Sequence, residues 1–235
     1  MIPEIAEIDQ KLQLLDPISL DEMSGIKLMN RIDTKYLVPV SLLPKLLEMA
    51  KVDYFVQQHN GLRKAFYRTM YFDTDDALMY TIHHNRKLNR QKIRVREYVE
   101  SNLIFLEIKN KSNKGRTKKV RITVPDLQIQ NNQEANDFIS QKANYPMSDI
   151  KGRLQNSFYR VTLVNKGKTE RLTIDMDINF VNQKSGRKDT IPELCIVEVK
   201  RDGNVYSPFT SYLASLRIKK KSISKYCLGM VLTDD

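Results

Sequence analysis

The chain has 235 residues, a formal net charge of +11 and a hydrophobic fraction of 41%. That apolar share supplies a core and excludes a disordered polymer, while no run approaches the roughly 20 apolar residues needed to span a bilayer. The excess of Lys and Arg points to a partner rich in phosphate or to an anionic surface.

Residues 1–30 are predicted as one or two short helices packing on the body of the protein, with Ser19 or Asp21 as candidate caps. Glu4, Glu7 and Asp9 stand where a signal peptide would be basic or apolar, so a cytoplasmic location is expected. A strand is predicted at 33–38, then a helix over 42–50 with Leu43, Leu46 and Leu47 on one side. Residues 65–73 read as a strand, and Asp73 or Thr74 can cap a helix from 75 to about 84. Three strands follow, at 91–100, 103–111 and 116–124, separated by turns at 101–102 and 113–115. Next come a helix over 133–142, strands at 157–165, 170–180 and 193–201, a helix over 208–216 and a last strand at 223–232. Cys195 and Cys227 are the only cysteines, which argues against a disulfide framework and fits buried thiols in a reducing compartment.

The strands carry a common pattern. In Q-K-I-R-V-R-E-Y, Lys92, Arg94 and Arg96 alternate with Ile93 and Val95. In F-L-E-I-K-N-K, Glu107, Lys109 and Lys111 oppose Leu106 and Ile108. Arg171, Asp175 and Asp177 oppose Leu172, Ile174 and Met176, and Glu198 and Lys200 oppose Val197 and Val199. A strand sends successive side chains to opposite faces, so each segment has one apolar and one ionic face. Eight or nine mostly antiparallel strands favour a closed barrel, because closure removes edges. Periodicity allows two arrangements: apolar faces buried inside with the charges spread over the surface, or helices covering the apolar faces from outside with the ionic faces lining a wet tunnel. The recurrence of cations in strand after strand and the helices' need for apolar partners favour the tunnel.

The motifs R-I-D-T-K-Y-L-V (31–38), Tyr71-Phe72-Asp73, Arg94-Val-Arg96, Glu107-Ile-Lys109, Lys119-Val-Arg121, Tyr159-Arg160, Glu198-Val-Lys200 and Ser224-Lys225-Tyr226 occur in that order. This series resembles the VTC domain, the catalytic domain of polyphosphate polymerases in the CYTH, or triphosphate tunnel metalloenzyme, superfamily. The resemblance covers about residues 30–230. It implies an α+β fold with an eight-stranded antiparallel tunnel over 31–235, basic inside and flanked by helices.

It also implies ATP and polyphosphate as ligands. Lys35, Arg94, Arg96, Lys109, Arg160, Lys200 and Lys225 would be catalytic, and Arg31, Lys119, Arg121, Arg171, Ser224 and Tyr226 would bind substrate. Arg grips phosphate oxygens bidentately and Lys acts as a point charge, which suits these residue types. Mn²⁺ or Mg²⁺ takes oxygen ligands, so Glu198 first and Glu107 second are the candidate metal anchors, with Asp175 and Asp177 as contributors. His59, His83 and His84 lack zinc-site spacing, and no P-loop is present.

The chain departs from the tunnel triphosphatases in lacking an E-x-E-x-K strand. Fewer carboxylates give less support to a water nucleophile, so polymerisation by attack of a phosphate chain end on ATP is favoured over hydrolysis. Ser222 stands where another basic residue is expected, after the Lys219-Lys220-Lys221 run. The rival readings are a non-catalytic polyphosphate- or nucleotide-binding module and a triphosphatase releasing orthophosphate. Nucleic acid ranks last, because the Arg and Lys positions share their strands with Glu rather than with exposed aromatics. A membrane-protein partner is left open.

Overall fold

Helices decide which face of an alternating strand becomes core, and the computed structural model shows where they lie. It describes residues 3–24, 31–113 and 117–234. The rest of the N-terminal segment (25–30) and most of the turn at 113–115, with Arg116 at the start of the next predicted strand, fall outside those residues.

In chain order the described elements are α1 (Pro3–Gln13), β1 (Asp16–Ile18), α2 (Leu20–Ser24), β2 (Arg31–Pro39), α3 (Leu43–Ala50), β3 (Tyr54–Gln57), β4 (Ala65–Thr74), α4 (Leu78–His84) and β5 (Arg90–Tyr98). They continue with β6 (Leu103–Lys111), β7 (Thr117–Thr123), α5 (Gln133–Lys142), β8 (Ile150–Asn165), β9 (Glu170–Asn182), β10 (Lys188–Ile191), β11 (Leu194–Asp202), α6 (Pro208–Ser215) and α7 (Lys225–Thr233). The fold is α+β, a mainly antiparallel sheet flanked by helices. Two compact units divide it: 1–65 with 158–178 and 191–223, and 66–157 with 179–190 and 224–235.

In the first unit the strand order is β2-β11-β9-β8-β3-β1, and β1 pairs with β3 in parallel. Val38, Val161, Leu163, Leu172, Ile174, Val197 and Val199 form one apolar layer with Leu43, Leu46 and Leu47 of α3, Phe209 and Leu213 of α6, and Ile8 and Leu12 of α1. A capping box opens α2: the Ser19 hydroxyl accepts from the Glu22 N–H at 3.2 Å, and the Glu22 carboxylate accepts from the Ser19 N–H at 2.8 Å.

In the second unit the order is β8-β4-β5-β6-β7. Met70, Phe72, Ile93, Val95, Leu106 and Ile108 pack with Met79 of α4 and with Ala135 and Ile139 of α5. Helices α1, α3 and α6 in the first unit and α4 and α5 in the second sit on the apolar face, so the ionic positions occupy the face those helices leave. No helix among the described residues is long and apolar enough to cross a membrane.

The structure departs from the sequence reading in three places. The last element, expected as a strand, is the helix α7. Its buried residues Tyr226, Gly229, Met230 and Thr233 recur at helical spacing, and Ser224 caps it through the Cys227 N–H. Gly229 is required by the packing, since a Cβ there would lie 2.4 Å from Phe180 and 2.5 Å from Leu154.

Strand β8 begins at Ile150, seven residues early, because Gly152 leaves a gap in the alternation between buried Ile150 and Leu154. A Cβ at Gly152 would meet the Met70 sulfur at 3.0 Å.

Finally, eleven strands are described rather than eight, and their ladder is open. Among the described residues β2 meets, beyond its pairing with β11, a single bridge from Tyr36 to Lys220, and β7 pairs along one side with β6. The hydrogen bonds do not draw the closed barrel expected from the alternation. Strands β1, β3 and β10 were too short to register as periodic patterns.

Candidate functional site

Strand register turns the alternation of β4–β7 into a grid on the second unit. Tyr71 lies opposite Arg94, Arg94 opposite Glu107, and Glu107 opposite Arg121. One row along, roughly 7 Å away by strand rise, Lys92, Lys109 and Lys119 stand in line. On the other side the row is Thr69, Arg96, Phe105 and Thr123.

On β5–β7 Glu107 is the one carboxylate in these rows, and it is fully buried. Arg94 donates to one of its oxygens through Nε at 2.7 Å, with Nη2 2.5 Å away, and Lys119 holds the other. Burial opposes the charge, but Arg94 and Lys119 keep the carboxyl well below its ordinary range.

The surrounding cations repel one another. Arg94 above all, then burial, Arg96 and Lys119, push the Lys109 ammonium down to about 7, with Glu107 opposing. Arg96 is almost fully buried and donates to the Thr69 hydroxyl at 3.1 Å. A pocket lined by Arg90, Lys111, Lys118, Asn89, Asn110 and Asn144 extends the cationic end of β5–β7.

The S-K-Y motif enters this unit through α7. Ser224 accepts from the Lys92 ammonium at 3.4 Å, and partly exposed Lys225 opens the helix. Tyr226 is only 3% exposed. Its ring stacks on Tyr71 at 5.1 Å, and its hydroxyl donates to Asp73 at 2.5 Å. Asp73 also accepts the Met79 and Tyr80 N–H groups at 2.8 Å each, so it caps α4 while anchoring α7. Tyr226 therefore positions the segment that carries Ser224 and Lys225.

The ionic face of the first unit is built differently. Lys35 lies opposite Glu198, and Glu198 opposite Thr173. Lys200 lies between Asp33 and Arg171. Arg160 forms a two-pronged pair with Asp175, at 2.6 and 2.8 Å. The Lys200 ammonium is 3.3 Å from Glu198. Its pKa is lowered by burial and by Arg160 and Arg171, against Glu198 and Asp33.

Lys35 donates to the Ile223 carbonyl at 3.1 Å, and its own carbonyl accepts the Lys221 N–H at 2.8 Å. The triple-lysine segment therefore runs beside β2. Arg31 opens β2, and its side chain lies outside what the structure describes.

For a divalent metal the two expected carboxylates differ. Both oxygens of Glu107 are held by cations. The Glu198 side chain is 21% exposed and has one oxygen near Lys200. Among the described residues no group of three or more His, Cys, Asp or Glu could hold a metal. Mg²⁺-type ions are commonly held by one or two carboxylates plus substrate phosphates and water, which asks for a carboxylate that substrate and solvent can reach: Glu198 is partly exposed and Glu107 is fully buried. The thiols show no metal arrangement: burial pushes Cys195 up to about 12, and Cys227 sits 3.0 Å from His83 Nδ1.

Residues given no site role by the sequence also lie on these faces: Lys92, Thr69 and Tyr71 in one unit, Asp33 in the other. The signal was available, since each keeps the parity of a chosen neighbour. The placement of aromatics needs correction: Tyr98 and Phe105 share the parity of Arg96 and Glu107, so cations and aromatics do share strands.

Residues 30–233 match the family model described as the VTC domain. Among solved structures, a candidate adenylate cyclase of Vibrio parahaemolyticus is 12% identical, with 86% of this chain and 99% of that chain covered and a TM-score of 0.49. An adenylyl-cyclase-like protein of Hippeastrum, described as having a dominant triphosphatase activity, is 15% identical, with 86% and 96% covered and the same TM-score of 0.49. The PH1012 protein of Pyrococcus horikoshii gives 10% identity, 84% and 98% coverage, and 0.45. No curated protein matches.

Proposed function

Because the chain belongs to the VTC-domain family, we propose that it is an ATP-dependent polyphosphate polymerase using Mn²⁺ or Mg²⁺. The observation that carries this reading is the imbalance on the second unit's ionic face. Lys92, Arg94, Arg96, Lys109, Lys119 and Arg121 stand in adjoining rows of β5–β7, whose one carboxylate is Glu107. Such a face gains most from a ligand that brings several negative charges at regular spacing.

Phosphoryl transfer asks the protein mainly for positioning and charge neutralisation. Arg94, Lys109, Lys119 and Arg121 hold non-bridging phosphate oxygens, and Arg96 and Lys225 add charge at the margins. Lys35, Arg160, Arg171 and Lys200 do the same on the first unit's face, beside Glu198, which would hold the metal together with substrate phosphates. When bound, the metal withdraws charge from phosphate oxygens.

In the reaction the terminal oxygen of a phosphate chain attacks the γ-phosphorus of ATP. The β–γ bridging bond breaks and ADP departs. Glu107 keeps Arg94 and Lys119 aligned, and its locked oxygens cannot serve as a base for water, which favours transfer over hydrolysis.

The test is incubation of the purified protein with ATP and Mn²⁺, followed by gel resolution of the products. A phosphate ladder with ADP is expected, and it should be lost in Lys109→Ala. Orthophosphate without a ladder would make the protein a triphosphatase. Binding without turnover would make it a carrier module.

A further inference from the structure

Next to the cation rows, on the same face of the second unit, lies a group of aromatic rings that the core does not use. Tyr67 pairs with Tyr98 across β4 and β5, their centroids 5.0 Å apart. Tyr98 meets Phe105 edge-on at 5.8 Å. The Arg121 guanidinium lies 4.3 Å above the Phe105 ring, and Arg96 lies 5.7 Å from Tyr67. Neighbouring Leu103 is 45% exposed, and all three rings are partly exposed. The opposite face of these strands already fills the core with Met70, Val95, Leu106 and their neighbours. Rings on the face that carries the charges therefore add little to that core.

We propose that Tyr98, Phe105 and Arg121, backed by Tyr67, form a stacking platform for the base of a nucleoside triphosphate whose phosphates lie on the adjoining cation rows. This rests on the reading of those rows as a phosphate-holding surface. The order along the strands suits the ligand. Tyr67 and Tyr98 come first, then Phe105 in the row of Arg96, then Arg94 and Arg121, then Lys92, Lys109 and Lys119, and a nucleotide likewise runs from base through ribose to its phosphates. Aromatic rings and guanidinium planes both stack on bases, and the cation over Phe105 extends the flat surface. Every base has a π-face, so the platform is tolerant: ATP and GTP bind alike, and both bind more tightly than tripolyphosphate, which has no base.

The test is calorimetric titration of the full chain with ATP, GTP and tripolyphosphate, with divalent metal chelated so that turnover does not intervene. Phe105→Leu and Tyr98→Leu should each weaken ATP and GTP roughly tenfold, the scale of one lost base stack, and leave tripolyphosphate unchanged. Tyr98→Phe, which keeps the ring, should restore the preference for nucleotides. In saturation-transfer NMR the purine protons of ATP should receive magnetisation from the wild-type protein and lose it in the leucine variants.

Equal losses for ATP and tripolyphosphate, or no change for either, would overturn the platform and leave the phosphate reading standing. So would tighter binding of a single-stranded oligonucleotide that lacks a triphosphate. Failure of tripolyphosphate and ATP alike to bind the wild type would remove the proposed function, and the platform with it.

Discussion

The two ionic faces differ in how their charge is balanced. In the first unit Arg160 faces Asp175, and Lys200 faces both Glu198 and Asp33. Cations and carboxylates are there in near parity. In the second unit six cations share Glu107, and the surplus shows in Lys109, whose pKa falls to about 7. The first face is neutral enough to keep a partly exposed carboxylate beside its cations, which suits a metal held with phosphate. The second holds an excess that an anionic ligand would relieve, which suits a polyphosphate chain. Both faces come from the same alternating pattern; what separates them is the number of acids on the ionic parity.

The largest effects that would break this contrast lie in the buried pairs. Arg160→Ala removes both bonds to Asp175, itself 2% exposed, and should cost about 3 kcal/mol in denaturant unfolding. Arg94→Ala should cost clearly less, because Lys119 still holds Glu107 and the repulsion on Lys109 falls. Equal losses would show that the second face carries no surplus.

Next come the two glutamates. Glu198→Gln should raise the metal concentration needed for half-maximal turnover by about tenfold or more, on the scale of disturbed metal sites. Glu107→Gln should leave that requirement unchanged while weakening triphosphate binding. The reverse pattern in a metal titration would exchange their roles.

The smallest effect is at the motif tyrosine. Tyr226→Phe deletes the hydroxyl on Asp73 but keeps the stack on Tyr71, and should cost about 1 kcal/mol of stability. A loss of turnover with no loss of stability would instead put the hydroxyl in contact with substrate.

Much of this was legible from periodicity. Leu103–Lys111 and Gln133–Lys142 stand where the alternation and the helical spacing put them. The ionic parity of β5, β6, β9 and β11 was plain because each strand alternates without interruption. The tail 223–232 misled because its apolar residues are nearly continuous, a composition that periodicity cannot assign; only the i, i+3, i+4, i+7 burial of Tyr226, Gly229, Met230 and Thr233 separates helix from strand. The ion pairing of Glu107 was beyond reach because it depends on register between strands, which fixes that Arg94 and Arg121 flank it. The same limit hid the aromatic row, since parity within one strand does not say which rings meet across two.

Lys109 gives the most direct test of the claim that the second face is held short of anions. In the unfolded chain this ammonium keeps its proton up to about 10.5, and in the folded protein it releases it near 7. Between those values unfolding takes up a proton, so Lys109 costs stability below pH 7 and the cost is relieved as pH rises toward 10.5. A phosphate chain brought against Lys109, Arg94, Arg96, Lys119 and Lys92 must restore the proton. The measurement is titration of tripolyphosphate at pH 8 in buffers of different ionisation enthalpy. Net proton uptake on binding is expected, and it should disappear in Lys109→Met. Binding with no proton uptake in the wild type, or uptake that survives in Lys109→Met, would contradict the claim.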